Sequence, residues 1–265
     1  MGKIKLVASD LDGTLLPEGT KDINPEIYTV VRQLKEKGII FVPASGRELP
    51  TMRTVLEPIK DDVYFIANNG GVISKGVDEA ISVLSLDWEV VKAVVTDVKK
   101  DPDCAFVSFN TTGGTYTDST NKELLEWLKN GYGMNPIVVP DMLAEKKEAI
   151  KISVFVNVDA SLVAPDYIKK YGTRAHVTAA GANWVDFTHA QADKGIAFNK
   201  LIETLGIAKE ETWAFGDNEN DISMLQAAGR GFAAPDAREA VKKAADVCLK
   251  GDIWDSVIIK LKELL

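Results

Sequence analysis

The chain has 265 residues, of which 46% are hydrophobic and 26% charged, an ordinary globular composition long enough for one large domain or two moderate ones. Its 39 acidic residues outnumber 31 basic ones for a net charge of −8, which argues against nucleic acid as a partner but not against a small phosphorylated ligand. No run of about 18 apolar residues occurs, so neither a spanning helix nor a membrane partner is expected.

Met1-Gly2-Lys3 leads directly into a strand with no signal-type apolar core, and Cys104 and Cys248 lie far apart in apolar segments. Both cysteines therefore read as core packing in a reducing compartment, and the expected location is the cytoplasm. The apolar run Ile4–Ala8 predicts a buried strand that ends at Asp10-Leu11-Asp12-Gly13-Thr14. Two carboxylates two positions apart at a strand end are either an acidic turn or a pair with work to do, because buried charge is costly unless matched. Asn24-Pro25 opens a helix with Ile27, Val30, Val31 and Leu34 at helical spacing, and Gly38 closes it. Ile39–Val42 predicts a second strand, stopping at Pro43-Ala44-Ser45-Gly46-Arg47. A helix to about Leu56 and a third strand, Val63–Ile66, ending at Asn68-Asn69-Gly70-Gly71, complete a strand–helix alternation typical of a parallel sheet.

From residue 82 the texture changes. Helices are expected over Asp87–Lys100, Thr120–Lys129 and Ala160–Lys170, with strands at Cys104–Phe109, Thr115–Thr117, Ile150–Val156, Arg174–Thr178 and Trp184–Thr188, the last two joined at Gly181. The alternation in Ile150–Val156 predicts one wet face. This mixture suits an α+β domain. From Asp193 the earlier alternation returns. The helix Asp193–Leu205 stops at Gly206, the strand Thr212–Gly216 ends at Asp217-Asn218-Glu219-Asn220-Asp221, and helix, strand, helix, strand and a closing helix from Ile253 follow. Met224 and Leu225 are expected in the core. The chain thus reads as a Rossmann-like, doubly wound α/β core formed by residues 1–81 and 190–265, with an α+β domain, 82–189, inserted between them.

Four strand ends present polar groups, and Lys194 sits at a helix start. In open α/β sheets such ends line the ligand crevice. Two carboxylate clusters brought together there call for a hard divalent cation, Mg²⁺ being the economical choice.

Asp10-x-Asp12-Gly13-Thr14, Ser45-Gly46-Arg47, Lys194 and Gly216-Asp217-x-x-Asn220-Asp221, in this order, resemble the four motifs of the haloacid dehalogenase (HAD) superfamily. The insert is similar to the C2B-type cap of its Cof-like sugar-phosphatase branch. The resemblance implies Asp10 as nucleophile, Asp12 as general acid and base, and Ser45, the Gly46 amide and Lys194 as the phosphoryl-holding groups. The metal ligands it implies are Asp10, the Asp12 backbone carbonyl and Asp217, with Asp221 in or beside that shell. Asn220 is implied as a substrate contact or an orienting group. Ser45 departs from the more frequent Thr but keeps the hydroxyl. Arg47 reads either as a substrate or cap contact or as a surface ion pair; Asn69 either touches the ligand or shapes its loop. His176 and His189 have no role in this mechanism. The implied activity is Mg²⁺-dependent hydrolysis of small phosphate monoesters, sugar phosphates foremost, through an aspartyl-phosphate. A phosphomutase of the same superfamily, which would need cap cations such as Lys151, Lys169 and Arg174, and a non-catalytic phosphosugar-binding protein are the alternatives.

Overall fold

A computed structural model describes residues 3–17, 20–76, 79–132, 134–180 and 182–265; Gly181, the expected turn, lies outside them. Its contacts divide the chain into two compact units, Met1–Ser82 with Asp193–Leu265, and Val83–Ala192.

The first unit opens with β1 (Leu6–Ser9), α1 (Glu26–Glu36), β2 (Ile40–Pro43), α2 (Leu49–Val55), β3 (Tyr64–Ala67), β4 (Val72–Lys75) and β5 (Glu79–Val83), whose last residue is the first of the second unit. The second unit runs through α3 (Trp88–Val98), β6 (Cys104–Thr111), β7 (Gly114–Thr117), α4 (Lys122–Tyr132), β8 (Ile137–Val138), β9 (Lys151–Val156), α5 (Ala160–Tyr171), β10 (His176–Ala179) and β11 (Trp184–Thr188). The first unit resumes with α6 (Lys194–Leu205), β12 (Thr212–Gly216), α7 (Ile222–Ala227), β13 (Arg230–Ala233), α8 (Glu239–Ala244), β14 (Val247–Cys248) and α9 (Ile253–Lys262).

In the first unit five strands form a parallel sheet in the order β14-β13-β12-β1-β2. β1 is central: Leu6 registers with Thr212 on one side and Ile40 on the other. Leu6 and Ala8 point into a cluster with Val42, Ala214, the α6 residues Phe198 and Leu201, and the α7 residues Met224 and Leu225, which are core as expected. The apolar stripe of α1, Ile27, Val30, Val31 and Leu34, is buried, and ahead of it the Asn24 side chain accepts from the Glu26 amide at 3.0 Å.

The third expected strand does not join this sheet as a full ladder. It pairs with β4 in an antiparallel hairpin that the sequence reading lacked, and it meets β2 only through the parallel bridge Ala44–Ile66. The cause is local. The amides of Ile40 and Ala44 donate to β1, so the odd-numbered positions face β3, and Pro43 has no N–H to give. The first amide past it, Ser45, makes the bond to Ile66.

The second unit carries a six-stranded sheet, β10-β11-β9-β6-β7-β8. One face packs on α3 and α5 through Val91, Val94, Val95, Phe109, Ile152, Val154 and Phe187. The other face holds Lys151, Ser153 and Asp186, all buried, with Lys151 Nζ 3.0 Å from Asp186 Oδ2. The wet face expected for this strand is therefore corrected: a cross-strand ion pair permits the polar positions of β9 to be buried. Trp184 packs edge-on against Phe106 and Phe155. The cysteine reading is corrected as well, since Cys104 is only half-buried and Cys248, on the edge strand β14, is exposed. No helix among the described residues is long and apolar enough to cross a membrane.

Candidate active site

Asp10 follows the last residue of β1 and is buried, its amide bonded to the Phe215 carbonyl of β12. The chain then folds back tightly, with the amides of Thr14, Leu15 and Leu16 all directed at the Leu11 carbonyl. Gly13 has φ +79°, and a Cβ there would lie 2.3 Å from Asp217 Oδ2, so both conformation and close approach require glycine. This turn sends the two acids apart. Asp12 leaves the carboxylate group and meets Arg47, whose Nε donates to Oδ2 at 2.8 Å and whose Nη2 donates to Oδ1. The same Nη2 donates to the Thr20 carbonyl at 2.6 Å. Arg47, weighed between a surface pair and a ligand contact, thus holds the second acid of the motif in a bidentate grip.

Lys194 opens α6, with Asp193 as N-cap accepting from the Ile196 amide. Its side chain is 1% exposed, and the ammonium donates to Asp10 Oδ1 and Asp221 Oδ1, both at 2.6 Å. Burial draws the lysine pKa down, but the two carboxylates outweigh it and hold it above the usual lysine range. Asp221 is fully buried, and its other oxygen accepts from the amides of Asp217 and Asn218 at 2.9 and 3.0 Å. Asp217 accepts at 3.0 Å from Thr14 Oγ1, a hydroxyl absent from the sequence-derived site although it lies in the first motif.

Asp10, Asp217 and Asp221 each present a ligand atom, and these atoms lie within 4.8 Å of one another. One ammonium does not neutralise three carboxylates. Burial and the neighbouring Asp221 push Asp10 well above the carboxylate range, and the same causes in the same order raise Asp217 to about 6. A cation among these hard oxygen donors would relieve that repulsion, so the set fits a divalent metal of the oxygen-seeking kind.

Ser45 is buried and its Oγ accepts from the Arg47 amide at 3.0 Å, while Asn69 lies on a left-handed turn beside it. Asn220 Nδ2 donates to Asn69 Oδ1 at 2.9 Å. The first unit therefore gathers Asp10, Asp12, Ser45, Gly46, Arg47, Asn69, Lys194, Asp217, Asn220 and Asp221 around the ends of β1, β2, β3 and β12 and the start of α6. His176 is exposed on β10, and His189 accepts from the Gln191 amide through Nδ1.

Comparison with known proteins places this site in a family. A family model for haloacid dehalogenase-like hydrolases matches residues 7–259. Phosphatase YwpJ of Bacillus subtilis is 27% identical over 99% of this chain and 100% of its own length. The 5-amino-6-(5-phospho-D-ribitylamino)uracil phosphatase YcsE of the same organism is 28% identical over 96% of this chain and 93% of its own. Among solved structures, one from Eubacterium rectale superposes with a TM-score of 0.90 at 32% identity, covering 100% of both chains. A haloacid dehalogenase-like hydrolase from Bacteroides thetaiotaomicron reaches 0.86 at 25% identity, covering 99% and 100%. With a family model spanning nearly its whole length and the motif residues drawn to one set of strand ends, the chain belongs to the haloacid dehalogenase-like hydrolase family, as an enzyme of its phosphatase type.

Proposed function

We propose that the protein is a Mg²⁺-dependent phosphatase of small phosphate monoesters acting through an aspartyl-phosphate on Asp10, with Val83–Ala192 as its C2B-type cap. The observation that carries the reading is the division of labour between the two acids of the first motif. Asp10 sits among Lys194, Asp217 and Asp221, while Asp12 is turned away onto Arg47. That is the separation a nucleophile and a proton carrier need.

Asp10 attacks phosphorus in line with the departing alcohol, and its carboxylate takes the phosphoryl group. Lys194, fixed by two buried carboxylates, keeps its positive charge and holds the transferring oxygens together with the Ser45 hydroxyl and the Gly46 amide. Asp12 gives a proton to the leaving oxygen and takes one from the water that releases phosphate from Asp10. Arg47 keeps its carboxyl aimed during both transfers. Asp10, Asp217, the Asp12 carbonyl and Asp221 would hold Mg²⁺, which when bound lowers the repulsion between carboxylate and phosphate.

Sugar and polyol phosphates are the first substrate class to screen. One relative's named substrate carries a phosphoribityl group, and another relative, from Cronobacter sakazakii and 27% identical, is an HMP-PP phosphatase. The free, widely spaced cysteines support action in the reducing cytoplasm. The mutase alternative loses ground because Lys151, one of its candidate second-phosphate cations, is buried against Asp186.

The test is a phosphate-release screen over hexose, pentose, triose, polyol and nucleotide monophosphates with and without Mg²⁺, without a bisphosphate activator. Turnover by the wild type and its loss in Asp10→Asn at unchanged melting temperature is the expected result. A wild type that releases no phosphate from any of them overturns the assignment.

A further inference from the structure

We infer that Asn69 is a positioning residue of this site: its side-chain amide locks the Ser45–Gly46 loop to the loop that carries Asp217 and Asp221. The inference rests on the phosphatase reading above.

Asn68, Asn69 and Gly70 have φ of +51°, +53° and +94°, three successive left-handed residues directly after β3. Two of them carry side chains, and L side chains rarely adopt this region unless the surroundings impose it. The surroundings here are three of the loops that bear the site. The Asn68 amide donates to the Arg47 carbonyl at 2.9 Å and the Asn69 amide to the Ser45 carbonyl at 3.0 Å. With the Ser45 amide on Ile66, this knits residues 45–47 to the end of β3 by three backbone bonds. Gly70 lies against the residue before Lys194: a Cβ there would fall 2.3 Å from the Asp193 carbonyl oxygen.

The side chain of Asn69 supplies the third connection. Its amide lies on Gly46, where a Cβ would be 3.2 Å from both Oδ1 and Nδ2. Its Oδ1 accepts from Asn220 Nδ2 at 2.9 Å. The carboxamide is thus engaged with protein on one side and stacked on the phosphoryl-holding glycine on the other. A left-handed turn of Asn-Asn-Gly therefore sets the spacing between the hydroxyl and amide cradle, the lysine and the acidic loop. A group that acts in this way changes catalysis through the geometry of others, with losses of about 10- to 100-fold when removed.

The experiment compares wild type, Asn69→Gly, Asn220→Ala and the double variant on p-nitrophenyl phosphate with Mg²⁺. Glycine keeps the left-handed backbone and removes only the amide, so folding is retained; its melting temperature is measured alongside. Expected are a kcat loss of about tenfold or more with KM little changed, and a double variant no worse than the more impaired single one. The stabilisation of the wild type by inorganic phosphate with Mg²⁺ should shrink in Asn69→Gly, a readout independent of turnover. Asn69→Gly with wild-type kcat and wild-type phosphate stabilisation overturns the inference. So do additive losses, or a defect confined to KM and dependent on the leaving group, which would make Asn69 a substrate contact. A wild type inert on every ester defeats the phosphatase reading instead, and the phosphate-stabilisation arm then still decides the positioning role.

Discussion

The guanidinium of Arg47 spans the carboxylate of Asp12, Nε on Oδ2 at 2.8 Å and Nη2 on Oδ1, while the same Nη2 holds the Thr20 carbonyl. In the proposed mechanism Asp12 hands a proton out and takes one back, and a planar, two-pronged partner fixes its direction. Replacing Arg47 by Lys keeps the charge but loses the fork. Steady-state kinetics on Arg47→Lys should show kcat reduced about tenfold or more with the far-UV spectrum unchanged, since misaligned proton transfer forfeits part of the roughly 10²–10⁴-fold that such catalysis supplies. Equal kcat would show that the grip on Asp12 is dispensable.

Among the described residues Lys194 is the one ammonium paired with both Asp10 and Asp221, and all three side chains are nearly without solvent. Lys194→Met removes the cation and leaves the carboxylates buried. Chemical denaturation without metal should report a loss of about 3–5 kcal/mol, the usual cost of orphaning a buried charge. Activity should vanish as well. A stability equal to wild type would mean that the carboxylates are protonated or hydrated in its absence.

Asp217 lies in the opposite situation, since burial and the nearby Asp221 hold its pKa at about 6. Asp217→Asn keeps an Oδ1 acceptor for Thr14 and removes one repelling charge. In EDTA at neutral pH this variant should melt higher than wild type. With Mg²⁺ the order should invert, because the wild type gains stability from the ion and the variant does not. Thermal melts of both proteins in both buffers decide the matter.

Gly13→Ala introduces a methyl 2.3 Å from Asp217 Oδ2 at a residue with φ +79°. It should weaken Mg²⁺ binding, read by calorimetry, more than it lowers the melting point, because Asp217 is only partly buried and can be pushed aside. Unaltered affinity would contradict the close approach.

The two thiols should differ in chemistry. Burial raises Cys104 to about 11, whereas Cys248 is exposed. At pH 8 only about 0.1% of Cys104 is thiolate, so iodoacetamide should modify Cys248 quickly and Cys104 slowly, as mapped by peptide mass analysis. The rate at Cys104 should climb about tenfold per pH unit up to about pH 11. The sign for stability follows: a raised folded pKa favours folding below the unfolded thiol value, and that contribution is lost as pH rises through 11.

What was legible beforehand has a pattern. Asp10, Gly13, the Asp193 cap and the Gly206 terminus belong to local grammar, where a residue's role follows from its own neighbours in the chain. The family motifs named the remaining candidates. Their partners were harder to see: Thr14 meets Asp217 across 203 positions, and Arg47 meets Asp12 across 35. No periodicity encodes such pairs. Lys151 misled for the same reason, because a lysine at an alternating position reads as wet until its cross-strand carboxylate is known. Pro43 was visible, but its effect on β3 depended on which strand its missing amide faced. Cys248 looked like core because its segment is apolar, yet it lies on a two-residue strand at the sheet edge.

β1 is flanked by strands of very different age in synthesis. Leu6 meets Ile40 soon after it leaves the ribosome, but its other neighbour, Thr212, emerges only after the whole of Val83–Ala192 has been made. Until then one edge of the strand that leads to Asp10 stays unpaired, and Asp217 and Asp221 do not yet exist to surround that acid. The nascent chain therefore carries Asp10 from the outset, whereas Lys194, Asp217 and Asp221 are added only near the end of its synthesis. Truncation anywhere before β12 should yield a protein whose first strand is an adhesive edge rather than a weakened enzyme.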